Sequence, residues 1–311
     1  MPIIEMDKPI QPHVVSTKRN TKAVPKQRST NIEKEDIVKN ARVIDDIFFE
    51  ICVENPEFCE EFLQTVFGDK RLRIKPETLV PQRDIKFLAA RSIRVDAYIE
   101  LNDYSDDTGK NIPEICNIEI QRSDNCDHFR RARYNGSAIT VNASEPGDLF
   151  DHVARVYVVY VTEKDPFESG LAIYHARMTA METGDILDDG YEEIFINAES
   201  NDGTKLAQMM QNFLKPRFDD PEFPEMSKTV NQIKNSPEEV NRMCATVEAY
   251  AEMRADKAAK TAAKEATERE ILSSVQEGDY SPERGAQKLN ISVSELLKLM
   301  QSKGYIAPAT A

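Results

Sequence analysis

A nearly continuous run of β-branched and aromatic residues, HVARVYVVYVT at positions 152–162, constrains the fold more than any other segment of the chain. A run without a polar face suits a central strand that is covered on both sides. At 311 residues, the chain is long enough to bury a substantial core around such a strand. The run therefore predicts a sheet with packed layers on its faces.

Further strands are predicted on both sides of this run. Apolar and polar residues alternate in SIRVDAYIEL at 92–101 and again in CNIEIQ at 116–121, with the polar loop NDYSDDTGK between them. We expect these two segments to pair as a long hairpin. The alternation predicts one shared apolar face for Ile93, Val95, Ala97, Ile99 and Leu101. LAIYHARM and YEEIFINA, separated by the turn-rich TGDILDDG, predict two more strands.

Helices are predicted before, between and after the strands. Apolar residues recur at helical spacing from Ile44 to Ile51, and a second helix follows the boundary at Asn55-Pro56 and ends near Gly68. Residues 127–140 look helical and basic, and the apolar spacing at 206–213 predicts a closing helix. Residues 37–217 therefore read as a mixed α/β core.

The two ends of the chain differ from this core. Residues 1–35 are poor in large apolar side chains and carry clustered basic residues, which predicts a flexible basic arm. The core is assigned to 36–220, and 221–311 is predicted to be a helical region. At 281–304, Ser281 and Ser292 begin two short predicted helices. A helix-turn-helix would have this pattern, but the few basic residues favour a plain αα-hairpin.

Composition limits the classes of function. No apolar run is long enough to span a bilayer, and no signal peptide is recognisable at the N-terminus, so no membrane partner and a cytoplasmic location are expected. The five cysteines form no CxxC motif, and the four histidines share no spacing typical of zinc ligands. The net charge of −14 means that contact with a nucleic acid needs a local basic surface or bridging metal ions.

Three polar side chains of the predicted hairpin carry the chemistry. Glu119 and Gln121 are two residues apart on one strand and share a face, and Asp96 belongs to the polar set of the other strand. If the apolar faces of both strands pack on the same layer, the three converge. Two carboxylates that close repel each other unless one is protonated or a cation lies between them, and oxygen ligands suit Mg²⁺ or Mn²⁺. On residue types alone, a solvated strand face is the common alternative.

A longer sequence match favours a functional role for these residues. RVDAYIE at 94–100, NIEIQRSDN at 117–125 and RRARYNGSAI at 130–139, followed by the apolar strand VYVVYV, occur in this order. Over about residues 40–200 the chain resembles the PD-(D/E)XK nuclease superfamily, and within it the branch of recombination-promoting nucleases and transposases. The resemblance implies a restriction-endonuclease-like core, in which a mixed central sheet is flanked by helices.

The resemblance also implies roles for particular residues. Asp96 matches the metal-binding aspartate, Glu119 matches the second acid, and the backbone carbonyl of Ile120 is a further candidate ligand for Mg²⁺ or Mn²⁺. Gln121 stands where the wider superfamily has a lysine, and an amide can orient a water but carries no positive charge. A helix-borne acid commonly completes such sites, and Asp46 and Glu50, which are four residues apart on one helix face, are the candidates.

The residues after the second strand have the character of a phosphate-binding surface. Guanidinium groups bind phosphates with two parallel hydrogen bonds, and a tyrosine can contact a phosphate or stack on a base. The candidate DNA contacts are Arg122, Arg130, Arg131, Arg133 and Tyr134. Ion pairing of these arginines with Asp124 and Asp127 is an equally good explanation of the cluster.

The leading hypothesis is a Mg²⁺-dependent DNA endonuclease of the transposase or recombination-promoting type, and double-strand cutting would favour a homodimer. The alternative is a nuclease-fold module that has lost catalysis and binds DNA or a protein partner. No glycine-rich phosphate loop and no Gly-x-Ser-x-Gly turn supports nucleotide hydrolysis or esterase chemistry.

Overall fold

The structure is a computed structural model that describes residues 31–87, 92–101, 104–105, 111–122, 128–147 and 149–306. Residues 1–30 of the predicted basic arm lie outside the described residues, and its last five belong to a helix. The α-helices in the described ranges are α1 (Asn31–Asn40), α2 (Asp46–Cys52), α3 (Pro56–Phe67), α4 (His128–Asn142), α5 (Lys205–Phe213), α6 (Pro224–Asn235), α7 (Pro237–Glu277), α8 (Pro282–Leu289) and α9 (Val293–Ser302).

The strands form one six-stranded mixed sheet and a small two-stranded ribbon. They are β1 (Val80–Ile85), β2 (Ile93–Glu100), β3 (Tyr104–Ser105), β4 (Asn111–Ile112), β5 (Glu114–Gln121), β6 (Arg155–Thr162), β7 (Ile173–Ala176) and β8 (Tyr191–Asn197). The order in the large sheet is β1-β2-β5-β6-β8-β7, and β3 pairs with β4 in the ribbon. The chain is therefore mixed α/β with a helical C-terminal part, as the sequence predicted.

Strand pairing confirms the two main predictions from the sequence. β2 and β5 pair antiparallel, with Ala97 opposite Ile118. The apolar strand β6 lies inside the sheet and pairs in parallel with both β5 and β8. Strand β1, at the edge, was not predicted, because VPQRDI has no apolar alternation. Its Pro81 is tolerated there because an edge strand has one side without ladder hydrogen bonds.

Helices cover both faces of the sheet. One core joins Ile118, Ile120, Val159 and Val161 of the sheet to aromatic and methionine side chains of α2, α3, α5 and α6. The second core joins Val156, Val158 and Tyr160 to Ala132 and Ile139 of α4. Alternate residues of β6 thus enter different cores, which explains why this strand is apolar on both faces.

Local signals fix the ends of the predicted helices. The Asn55 side chain accepts a hydrogen bond from the Phe58 N–H at 3.0 Å, Pro56 is the first residue of α3, and Gly68 ends the helix at a φ of 66°. Ser281 caps α8, and Ser292 with Glu295 forms a capping box at α9. These helix boundaries were predictable because the capping residues lie beside the turns that they stabilise.

Helix α4 lies against the sheet at one glycine. A Cβ atom on Gly136 would lie 2.3 Å from the ring of Tyr191 on β8. The Tyr191 hydroxyl donates to the Glu193 carboxylate at 2.9 Å and contacts the Ala132 carbonyl at 3.3 Å. Gly136 therefore permits the close approach that sets the position of α4 over the sheet.

The long helix α7 connects two packed regions. Met243 and Cys244 in its first third belong to the core that also contains α6. Leu272 and Val275 near its end form a third, small core with α8 and α9. No helix in the described part of the chain is both long and apolar enough to cross a membrane.

Candidate active site

Asp96 lies on β2, which has β1 and β5 as its neighbours in the sheet. Its carboxylate accepts a hydrogen bond from the backbone N–H of Ile120 on β5 at 2.9 Å, and a second from the Gln82 amide of β1 at 3.3 Å. Since the partners belong to the two strands that flank β2, the Asp96 carboxylate lies near the plane of the sheet. The hydrogen bond from the Ile120 N–H to this carboxylate replaces a backbone-to-backbone bond at the end of the β2–β5 pair.

The predicted alternation of β2 is wrong on one side of Asp96. Ala97 and Ile99 enter the core that contains α2 and α3, whereas Val95 and Ile93 pack in the core beneath α4. Opposite this point on β1, Gln82 has a φ of 51°, outside the range of a regular strand. The pleat is interrupted there, so residues two apart no longer share a face.

Glu119 is buried on β5, with 6% of its surface exposed. Asn117, also buried, donates from Nδ2 to Oε1 of Glu119 at 3.0 Å. The Glu119 carboxylate also accepts a hydrogen bond from the backbone N–H of Asp96. Each of the two acids therefore bonds to the backbone of the other strand, and the structure brings Asp96 and Glu119 together as predicted from their pairing.

Excess negative charge surrounds these two acids. Burial, and then the charge of Asp46, raise the pKa of Asp96 to about 6, despite the hydrogen bond from Ile120. Burial and the charge of Asp96 raise the pKa of Glu119 well above its ordinary value. Burial and the charges of Asp96 and Asp46 raise the pKa of Glu50 to about 7. The helix α2 thus adds two acids whose fields reach the sheet, and a cation would relieve the repulsion.

Gln121 is bound by an arginine. Nη1 of Arg131 on α4 donates to Oε1 of Gln121 at 2.8 Å. The positive charge of Arg131 partly offsets the rise in the pKa values of Asp96 and Glu119. Arg131 was predicted only as a DNA contact, and its hydrogen bond from α4 to Gln121 of β5 was not predicted.

The other predicted DNA contacts do not form one cluster. Arg122 makes ion pairs with Asp45 at 2.8 Å and with Glu163 at 3.2 Å. The charge of Arg133 instead acts on Tyr191 and Glu193, away from Gln121. The exposed side chains Arg130 and Tyr134 lie one turn apart on α4. Asp124 and Asp127, the alternative ion-pair partners, lie outside the described residues.

The donor set of the site suits a hard cation with few protein ligands. Among the described residues, no group of three or more His, Cys, Asp and Glu side chains has the geometry to hold a metal ion. Mg²⁺ commonly keeps several waters and binds through one or two carboxylates together with substrate phosphates. Asp96 and Glu119 supply two carboxylates, and the pKa values of both are raised, mainly by burial and further by the charges of neighbouring acids.

A cleft of about 1040 Å³ opens beside Gln121 and Arg131, and neither Asp96 nor Glu119 is among the residues that line it. One wall contains Asp46, Gln121, Arg122 and Arg131. The opposite wall is a face of α7, formed by Tyr250, Met253, Lys257, Ala258, Thr261, Ala262 and Glu265. Analysis of the sequence missed the α7 residues, because no local pattern connects them to segments more than a hundred residues earlier.

Comparison with known proteins gives no match: no protein-family model, no curated protein and no solved structure is similar to the chain.

Proposed function

We propose that the chain is a metal-dependent DNA endonuclease with a restriction-endonuclease-like core. The observation that carries the proposal is the pair Asp96 and Glu119, a half-buried and a buried acid of adjacent strands, which have raised pKa values and lie near Gln121 of the cleft. Carboxylates that repel each other away from water lower the stability of the fold, and groups with such perturbed pKa values concentrate at functional sites. The resemblance of 94–139 to the recombination-promoting nuclease branch supports the same reading.

Asp96, Glu119 and the Ile120 carbonyl are the proposed ligands of Mg²⁺ or Mn²⁺. When bound, such an ion supplies Lewis acidity toward a phosphate oxygen and lowers the pKa of a bound water. The hydrogen bonds from Ile120 and Gln82 fix the orientation of the Asp96 carboxylate, and Asn117 does the same for Glu119. Asp46 and Glu50 act through their charges and retain the cation electrostatically.

Gln121 and Arg131 together take the part that a lysine has in the wider superfamily. The amide of Gln121 carries no charge, but the guanidinium of Arg131 bonds to its oxygen at 2.8 Å. Arg131 therefore supplies positive charge at the position where the lysine ammonium would be expected. In this proposal, Gln121 orients a water or a phosphate oxygen and Arg131 stabilises negative charge that develops on the phosphate.

DNA approaches along the exposed face of α4 in this proposal. Arg130 and Tyr134 present a cation and an aromatic ring on one face of that helix. Arg122 contacts phosphate after exchanging its ion pair with Asp45, and Arg133 makes a peripheral contact. A homodimer would bring two such sites to opposite strands of a duplex, and it is proposed for double-strand cutting.

The proposal is tested by incubating supercoiled plasmid with the purified chain in Mg²⁺, Mn²⁺ or chelator. We expect nicked or linear product with either metal and none in chelator. Asp96→Ala and Glu119→Ala should abolish the product. Glu163→Ala should retain it, because Glu163 pairs with Arg42 and Arg122 and does not belong to the Asp96–Glu119 pair. Equal cutting by the parent and both site variants would contradict the assignment.

A second candidate function is a module without catalysis that binds DNA or a protein. The observation that favours it is the raised pKa of Glu119, because a protonated Glu119, bonded to the backbone N–H of Asp96 and to Asn117, can link β5 to β2 without any metal. Titration calorimetry separates the two functions. An enzyme binds divalent metal, and the binding disappears in Glu119→Ala, whereas a module binds its partner equally well in chelator.

A further inference from the structure

The middle of α7 is a solvent-exposed helical stretch. From residue 251 to 267 every residue whose side chain is described is exposed. The helix is anchored before this stretch by Met243 and Cys244, and after it by Leu272 and Val275. An isolated helical stretch of this length is only marginally stable in water, so its persistence depends on its two anchored ends.

The cleft face of α7 combines aromatic, apolar, basic and small side chains with one acid, Glu265. Tyr250, Met253 and Lys257 present an aromatic ring, a thioether and an ammonium group to the cleft. The next turns carry the small side chains Ala258 and Ala262, together with Thr261, which leave space between α7 and the site. Both a stacking surface and a cation are therefore available on the wall opposite Gln121 and Arg131.

These side chains match the chemistry of one nucleic-acid strand. Proteins that bind single strands combine a positive groove along the backbone with aromatic rings on which bases stack. Here Arg131 and Lys257 supply cations from opposite walls, and Tyr250 supplies a ring. The cleft is lined by three cations, Arg122, Arg131 and Lys257, and by two acids, Asp46 and Glu265. In a chain with a net charge of −14, this balance is a local exception that favours a polyanion.

The size of the cleft decides between one strand and two. A drug-sized ligand fills a pocket of about 300–1,000 Å³, so a cleft of about 1040 Å³ holds a few nucleotides. This volume favours one strand over a duplex, because the two strands and both grooves of a duplex need more room. The two walls belong to elements that are fixed at their ends, and neither is a free loop.

We propose that the exposed stretch of α7 is the second wall of a channel for single-stranded DNA, with Lys257 as a phosphate contact and Tyr250 as a stacking platform. The inference rests on the proposed nuclease function and specifies its substrate: the strand that reaches Asp96 and Glu119 is unpaired, as in a flap, a gap or a melted end. Intact duplex binds on the outer face of α4 and is cut only where it opens.

Binding of a fluorescein-labelled oligonucleotide, single-stranded or annealed to its complement, tests this channel. The full chain is used in chelator, so that the probe stays intact, and fluorescence anisotropy gives the affinity. We expect the single strand to bind at least about tenfold more tightly than the blunt duplex, the size of one base-stacking contact. Equal affinities, or tighter binding of the duplex, would overturn the proposal.

Two charge reversals locate the contact. Lys257→Glu should remove the preference for the single strand, whereas Lys260→Glu should keep it, because Lys260 is equally exposed on the same stretch but does not line the cleft. Both are surface changes that leave the packed cores intact. Identical affinities of the two variants for the single strand would also overturn the proposal.

The outcome is separable from that of the proposed function. Plasmid cutting measures metal-dependent cleavage, whereas the anisotropy assay measures the preference for single-stranded DNA in the absence of metal. A chain that prefers single strands through Lys257 but never cuts would retain the channel and lose the nuclease. A chain that cuts plasmid but binds both probes equally would retain the nuclease and lose the channel.

Discussion

Arg131 on α4 and Gln121 on β5 are joined by a hydrogen bond of 2.8 Å between Nη1 and Oε1. The two residues lie ten positions apart, and residues 123–127 between them lie outside the described part of the chain. Their contact brings a positive charge to the end of β5, where it partly offsets the rise in the pKa values of Asp96 and Glu119. The helix and the strand therefore form one electrostatic unit.

Replacing Arg131 should affect both rate and titration. Without the guanidinium charge, the pKa values of Asp96 and Glu119 rise, and negative charge on a phosphate loses a stabilising donor. We expect Arg131→Ala to lower metal-dependent cleavage by about 100-fold, the usual effect of removing one such donor, and to move the rise of the pH–rate profile to higher pH. Arg130→Ala, one residue earlier and exposed, should leave the profile in place. A uniform loss of rate without any shift in the profile would argue that Arg131 only binds DNA.

Neutralising Glu119 should stabilise the chain in chelator. Glu119→Gln removes the repulsion with Asp96, and the amide oxygen still accepts the hydrogen bond from Asn117. We expect the free energy of unfolding to rise by about 1 kcal/mol in chelator, with loss of the extra stability that Mg²⁺ gives the parent. Urea unfolding with and without Mg²⁺ measures both effects. The same free energy of unfolding in parent and variant would mean that Glu119 is already neutral in the folded chain and does not repel Asp96.

The stability of the metal-free chain should fall as the pH rises from about 4 to about 7. Asp96 and Glu50 have ordinary pKa values of 3.8 and 4.5, and the folded chain raises them to about 6 and about 7. Between the unfolded and the folded pKa, the folded state holds more protons, so raising the pH favours unfolding until both groups are ionised. We expect a loss of about 1–3 kcal/mol over this window and little change from this pair above it.

Urea midpoints at several pH values in chelator measure this dependence. Asp96→Asn, which removes one of the two titrating groups, should flatten the decline. Stability that rises across the same window in the parent chain would show that neither acid is protonated in the fold.

Filling the contact between α4 and β8 should loosen the helix that carries Arg131. The Cβ of Gly136→Ala would lie 2.3 Å from the Tyr191 ring, and hydrogen bonds to Glu193 and Ala132 hold that ring in place. Overpacking of this kind costs about 1–3 kcal/mol, so we expect a lower melting temperature together with weaker cleavage. The neighbouring exposed position provides the control, since Ser137→Ala should alter neither. A Gly136→Ala chain that melts with the parent would show that α4 can shift freely.

The secondary structure was largely predictable because its signals are local. The strands of 93–101 and 116–121, their antiparallel pairing and the buried strand at 155–162 all follow from apolar periodicity. The caps at Asn55, Ser281 and Ser292 lie next to the helices that they begin. Strand β1 was missed because its apolar alternation is absent and its place at the sheet edge admits a proline.

The candidate site was predictable only in part. The spacing of Glu119 and Gln121 fixed their common face, but the interruption of the pleat at Asp96 depends on Gln82, which lies on a different strand. Likewise, the predicted arginine cluster divides because residues 131 and 133 project in different directions from α4, one toward Gln121 and one toward Glu193.

By itself, the sequence determined which segments are strands and helices and that the strands of Asp96 and Glu119 pair, since these properties depend on residues that are close along the chain. Only the tertiary structure decided that α2 adds its acids to the field around Asp96, that Arg131 binds Gln121, and that α7 forms the far wall of the cleft. These relations depend on the packing of distant segments over both faces of the sheet, and no periodicity along the chain encodes the distance between such segments.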